Sequence, residues 1–378
     1  MKIVQLTKKE AGKDWIYIGN KITLTKPLVL VFGNRYLLEN EGLYTEIKTL
    51  FPDGEIVFGS SCADITAKSV NENAVTITAI EFEKSAFVIK TSNVLNKDFD
   101  SFKTGSDLIN QFPKSRLKYV FVISEGSFIN GSELTKGMNN ATEDNILITG
   151  ALCGDSDRFE KTLASYNENP KPGELVAIGF YGDALEISFS IYGGWTPFGP
   201  ERMVTKSDGN ILYELDNMPA LDIYKKYLGD KAKDLPGAAL LYPLNVKSAK
   251  EKQSIVRSIL NIDEANNAVI LAGDIPVDSK VQLMMTNVDN IANASEQAAK
   301  QALSLREKKP ELAILVSCIG RKLVLDQRVE EEIEEVTQVI GEEIAVTGLY
   351  SYGEIAPFHG EVSCQLHNQT MTVTLLSE

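Results

Sequence analysis

Two late stretches of this chain bring together residue types able to do chemistry. Ser317-Cys318-Ile319-Gly320-Arg321 sets a thiol three residues from a guanidinium, and a nearby cation raises the thiolate fraction that makes cysteine a nucleophile. The two histidines, His359 and His367, lie downstream and would complete a Cys–His pair. Against that, Cys318 also fits a small apolar core residue, the usual role of a free cysteine, and no oxyanion hole or orienting acid stands out beside it. The second stretch, Ser351-Tyr352-Gly353-Glu354, adds a phenol and a carboxylate. Earlier in the chain the turns Ser124-Glu125-Gly126 and Cys153-Gly154-Asp155 have the same flavour.

Each of these turns follows an apolar run that reads as a buried strand. Ser124, Glu125, Cys153, Asp155, Ser317, Cys318, Arg321, Tyr352, Glu354 and, further on, Asn368 therefore form the candidate ligand-binding set. Strand C-terminal ends are where α/β sheets collect ligands. One arginine among carboxylates, hydroxyls and an amide suits a small zwitterion or carboxylate. Arg321 would clamp the carboxylate through two parallel hydrogen bonds, with Glu354 or Asp155 meeting an ammonium. An Arg321–Glu354 ion pair is the competing structural role, since turn residues often serve only the turn.

The elements that hold these turns can be read from periodicity. A strand over 313–317 leads into an amphipathic helix with Leu325, Val329, Ile333, Val336 and Ile340 on one face. Gly341 supplies the left-handed stop. A strand over 344–349 enters the turn at Ser351, and strands over 361–366 and 370–376 meet at His367-Asn368-Gln369. The same order recurs over 119–191: strand 119–123, helix 131–140, strand 145–149, then strands ending at Ile191. Matching landmarks are Ser124 with Ser317, Gly126 with Gly320, Thr149-Gly150 with Thr347-Gly348, and Asp155 with Glu354. Upstream, 73–91 with a helix at 104–112 matches 267–286 with a helix at 288–307. This predicts an α/β fold of two related lobes from an internal duplication. Mixed sheets would carry helices packed outside, a layered α-β-β-α stack being one such arrangement.

Residues 1–27 read as a polar lead-in with one strand at 15–18, 28–218 as the first lobe and 219–378 as the second. Within the first, the run 28–32, a helix through Leu43, Ile47 and Leu50, and a strand over 55–58 precede the small-residue loop Gly59-Ser60-Ser61-Cys62-Ala63-Asp64. Asp208-Gly209-Asn210 marks a hairpin. Pro219 and Gly229 bracket a helix carrying Leu221, Tyr224 and Leu228. Strands are expected near 239–244, 254–262, 267–272 and 280–285.

With 378 residues, net charge −14 and no basic stripe, the chain has no sign of a nucleic-acid surface. No apolar run is long enough for a membrane helix, the start lacks a signal-peptide pattern, and the four cysteines are scattered. A cytoplasmic protein with reduced thiols is expected. Phosphate-loop, dinucleotide, serine-hydrolase and zinc-protease motifs are missing, so no cofactor and no metal are expected. The acidic run Glu330–Glu335 reads as a solvated helix face, or, together with Trp195, as a docking face if the protein is an interaction module.

Ser317-Cys318-Ile319-Gly320-Arg321, the run from Gly348 to Ile355, His367-Asn368-Gln369-Thr370-Met371-Thr372 and the helix from Ala220 to Gly229 together resemble the FIST family, sensory proteins of bacterial signal transduction. The similarity spans roughly residues 28–376. At Gly59-Ser60-Ser61-Cys62-Ala63 and Ala151-Leu152-Cys153-Gly154-Asp155 the chain departs from the family pattern, and Glu125 stands where aspartate is common. The resemblance implies a small-ligand sensor, with amino acids as the proposed ligands. With no kinase, receiver or methyl-accepting segment attached, output would pass to a separate signalling protein such as a sensor kinase or chemoreceptor. The rival readings are an enzyme using Cys318 and a protein-interaction module without a small ligand.

Overall fold

The computed structural model describes residues 1–9, 14–142, 146–249 and 251–378. Three apolar runs form its centre: Leu28–Gly33, Leu117–Ser124 and Leu312–Cys318, buried along almost their whole length, as strands covered on both faces must be. Each is joined through helix to a parallel partner, respectively Glu55–Ser60, Leu147–Leu152 and Ala345–Ser351. On its other side each pairs antiparallel with a later strand, Ala74–Glu81, Glu174–Tyr181 or Met371–Ser377. Those strands pair in turn with Lys2–Lys9, Ala86–Asn93 and Glu186–Tyr192. The repeat expected between residues 119–191 and 313–376 is thus a repeat of strand order, and a third unit, over residues 2–81, shares it. The landmarks that would have exposed the third unit are absent there. Gly33 takes the register position of Ser124 and Ser317, and Val57-Phe58 that of Thr149-Gly150 and Thr347-Gly348. Asn145, the expected start of one strand, lies outside the described residues.

The units close into a ring. Ala345–Ser351 takes Ala63–Thr66 as its outer neighbour, Leu147–Leu152 takes Gly353–Pro357, and Glu55–Ser60 takes Ala164–Tyr166. The same backbone hydrogen bond recurs at each crossing: Cys62 N–H to Tyr350 O at 2.9 Å, Gly154 N–H to Ser60 O at 3.0 Å, and Tyr352 N–H to Leu152 O at 3.0 Å. Alternate residues of the central strands, such as Leu30, Phe32, Phe121, Ile123, Ile314 and Val316, share one inner core. The intervening residues pack under helices: Val29 and Val31 with Ile47, and Val120, Val122, Ala313 and Leu315 with Leu134, Met138, Ala298 and Ile333. Helices do lie outside mixed sheets, but three sheets rather than two layers surround the core. Two of these three sheets combine strands from both sides of residue 218, and the third is built only from residues before it.

An eight-stranded sheet is inserted between Glu186–Tyr192 and the helix Val288–Ser304. It has its own core around Val204, Leu221 and Leu271. The hairpin after Thr196–Asp208 and the helix Ala220–Leu228, stopped by Gly229 at φ 57°, are as expected. The upstream match of 73–91 to 267–286 does not hold. Ala268–Leu271 and Lys280–Met285 belong to the inserted sheet, and the counterpart of Ala86–Asn93 is Glu186–Tyr192. The helix expected after Cys318 is two helices, Ile319–Leu325 and Glu331–Ile340, broken where Asp326 adopts φ 48°. Gly237–Leu241 is a helical turn, not strand. The lead-in is a paired strand with Val4 and Leu6 buried.

Two glycines are required by close strand approach. A Cβ on Gly348 would sit 2.0 Å from Leu315 O, and one on Gly150, at the same position of another unit, 2.3 Å from Val122 O. Gly348→Ala should destabilise by about 1–3 kcal/mol through forced backbone displacement. An unchanged denaturant midpoint would show that the strands part freely.

Candidate functional site

Arg321 points inward, away from solvent. Its Nε and Nη2 donate to Glu332 Oε2 at 3.1 and 2.7 Å, Nη2 also to Ser295 Oγ at 2.6 Å and Ile291 O at 3.1 Å, and Nη1 to Gly193 O at 2.6 Å. Ser317 Oγ and the Tyr350 phenol donate to the other oxygen of Glu332. Both charges are fully buried. The counter-ion of Arg321 is thus Glu332, not Glu354 and not a ligand carboxylate. Glu332 belongs to the run expected to be solvated. Glu330 and Glu334 are exposed, but Glu332 sits on the inward face beside Ile333 and Val336. Such burial is tolerable only when the carboxylate is paired and hydrogen-bonded.

The remaining strand-end residues mostly bind one another. Glu354 accepts from Ser351 Oγ at 2.9 Å and from Thr370 Oγ1 at 2.8 Å, and burial pushes its pKa up to about 8. Its counterpart in the ring is Asp64 rather than Asp155: Glu354 pairs with Ala151 and Asp64 with Leu349, equivalent strand positions. Asp155 meets Arg158 at 2.6 Å and Arg35 at 3.0 Å. Glu125 caps its own turn, accepting from Ser127 and Phe128 N–H at 2.8 Å each, while Ser124 Oγ donates to Glu125 O. Asn368 donates to His367 O and accepts from Ser258 N–H.

The surroundings of Cys318 disfavour a thiolate. Burial pushes the thiol well above its ordinary range, with the Glu354 carboxylate adding to the rise. The guanidinium expected to favour a thiolate is neutralised by Glu332. Cys153 is likewise buried and pushed up. His367 bonds through Nε2 to Ala356 O at 2.9 Å, and burial lowers its pKa to about 4; His359 is exposed.

Among the described residues, two of the clefts where the inserted sheet meets the ring lie on either side of residues 272–277. One, of about 440 Å³, is bordered by Gly126, Phe128 and Tyr352 from strand-end turns and by Leu260 and Asn261 from the inserted sheet. Tyr352 stacks on Phe159 at 4.4 Å between centroids and holds it by accepting Phe159 N–H at 3.0 Å. The other, of about 510 Å³, lies between the helix Gly131–Asn140, which contributes Ser132 and Lys136, and Asp208, Arg257, Ile275 and Val277 of the insert. Asp274 separates them: its N–H donates to Ser132 Oγ at 3.0 Å and its carboxylate meets Lys136 at 2.8 Å and Asn130 at 3.1 Å. Of the ten residues expected to bind ligand, one, Tyr352, borders either cleft. Lys136, Arg257 and Asp274 were not foreseen. No clear signal for them was available: the strand Ile255–Arg257 is three residues long and does not alternate apolar with polar.

Residues 27–218 match the family model of the FIST N domain and residues 220–357 that of the FIST C domain. An uncharacterized protein of Methanocaldococcus jannaschii is 25% identical over 371 residues, covering 87% of this chain and 67% of that protein. The crystal structure of a cyanuric acid hydrolase from A. caulinodans aligns over 92% of this chain and 89% of its own at 8% identity, with a TM-score of 0.34. At that score neither fold nor activity transfers. Among the described residues no helix is long and apolar enough to cross a membrane.

Proposed function

Since the chain belongs to the FIST family, whose domains are associated with signal transduction, we propose that it is a cytoplasmic sensory protein binding a small polar ligand, an amino acid or similar carboxylate. Its output passes to a separate signalling protein such as a sensor kinase or chemoreceptor. The observation that carries this reading is the pair of clefts between two bodies with separate cores, the ring and the inserted sheet. The insert joins the ring through two short connections, residues 193–195 and 286–287. A ligand gripping both bodies favours one relative angle over others and so shifts their population, which is the minimal requirement for a relay.

Thermal-shift screening with amino acids and organic acids tests it. A ligand at 100 times its Kd adds about 2.7 kcal/mol to the unfolding free energy, a clearly visible rise in midpoint. A screen in which no small molecule moves the midpoint removes the sensory reading.

A further inference from the structure

We propose that Arg257 anchors the carboxylate of a singly charged ligand with a short apolar body, held in the larger of the two clefts. The proposal rests on the ligand-binding reading above and names the chemistry of its site.

Arg257 is only 5% exposed, yet its hydrogen bonds all go to neutral carbonyls: Nε to Asp274 O at 3.1 Å, and Nη1 to Leu366 O at 2.8 Å and Val256 O at 3.5 Å. Among the described residues no carboxylate forms an ion pair with it, and its Nη2 makes no hydrogen bond. Arg321, the other buried arginine of this region, shows the contrast, since each of its nitrogens is occupied and Glu332 neutralises it. The nearest acid to Arg257, Asp274, is already held by Lys136 and Asn130. Asp274 attracts Arg257 only through space and shares its charge with Lys136; a buried guanidinium so weakly compensated is costly, and this one borders a cavity of about 510 Å³. A carboxylate entering from that cavity would supply the missing charge and accept from Nη2.

The rest of the lining narrows the ligand. Val246, Ile255, Ile275 and Val277 form apolar walls, and Val277 is 47% exposed, an apolar side chain left facing the opening. Asp208 and Glu251 stand at the exposed rim, where they repel a second negative charge and tolerate an ammonium. Diacids and phosphates are thereby disfavoured, and monocarboxylates with or without an α-amino group fit.

Calorimetric titration of the full chain with leucine, 4-methylpentanoate and 3-methylbutylamine separates the contributions of carboxylate and ammonium. Both carboxylates should bind at millimolar concentration and the amine should not. Arg257→Lys, which keeps charge but loses the planar fork, should weaken them ~10–100-fold, as expected for a charge-assisted hydrogen bond. Val277→Trp, at an exposed position that folding does not depend on, should block binding altogether, and it decides between the outcomes should Arg257→Lys fail to fold. Leu260→Trp, in the other cleft, should leave affinity unchanged. Equal affinity in Arg257→Lys, preferential binding of the amine, or binding lost in Leu260→Trp but kept in Val277→Trp overturns the proposal while sparing the sensory reading. Failure of both carboxylates to bind, alongside thermal shifts from other compounds, has the same consequence. Only a blank across the whole screen sinks both.

Discussion

Replacing Glu332 with alanine should lower the unfolding free energy by about 3–5 kcal/mol, the cost of leaving a buried charge unpaired. The Arg321 guanidinium would stay fully buried without its carboxylate, and Ser317 and Tyr350 would lose the acceptor they share. Removing both partners, as Arg321→Met with Glu332→Leu, should recover most of that loss, because the desolvation cost of two ions disappears with their attraction. Urea midpoints at constant slope measure both variants. A Glu332→Ala loss below ~1 kcal/mol, the range of exposed pairs, would mean that the pair is not structural and that Arg321 is free to meet a ligand after all. The test thus discriminates between the role expected from sequence and the role the fold assigns.

The second large effect is a loss of stability as pH rises. Burial pushes Asp64 and Glu354 each up to about 8, from ordinary values of 3.8 and 4.5. Asp64 bonds to Ser61 Oγ through one oxygen, and its other oxygen has no hydrogen-bond partner. Between the ordinary and the raised value the folded protein holds a proton that the unfolded chain has released. Stability from each group is therefore complete at low pH and falls by about 1.4 kcal/mol per pH unit across that window. His367 acts the other way. Its folded value of about 4 lies below the ordinary 6.5, so the unfolded chain binds the extra proton and stability rises with pH between the two. Below pH 6.5 it offsets one carboxyl, and from 6.5 to about 8 both carboxyls act unopposed. The steepest decline should fall in that upper interval. Asp64→Asn should roughly halve it, as read from urea unfolding at pH 5, 6.5 and 8. Stability that climbs from pH 6.5 to 8 would mean that these acids ionise in the folded state, reached by water.

Much of the fold was legible because it is written in local patterns. Fully apolar runs announced the three central strands, and glycines at 229 and 341 announced helix ends. Leu221 and Tyr224, or Ile333 and Val336, announced helix faces. The third unit was not legible, since residues 2–81 keep the strand order while losing the Ser and Thr-Gly landmarks of the other two. Pairing in a sheet constrains which face a residue occupies far more than which residue it is. Glu332 was misassigned for a related reason. Inside a run of acids a helical period cannot say which member turns inward when the neighbouring apolar residues leave room for it.

The sequence by itself determined most strand and helix segments, the turns at strand ends and the likeness to a family. These depend on residue period and turn chemistry within a few positions of the chain. Only the tertiary structure decided that three units close into a ring, that Arg321 is spent on Glu332, and that Arg257 is buried at the edge of a cleft. A charged side chain becomes structural or available according to which partner it meets. For Arg321 that partner is brought by a different helix, and for Arg257 the acid in reach is already held by Lys136 and Asn130 from another part of the chain.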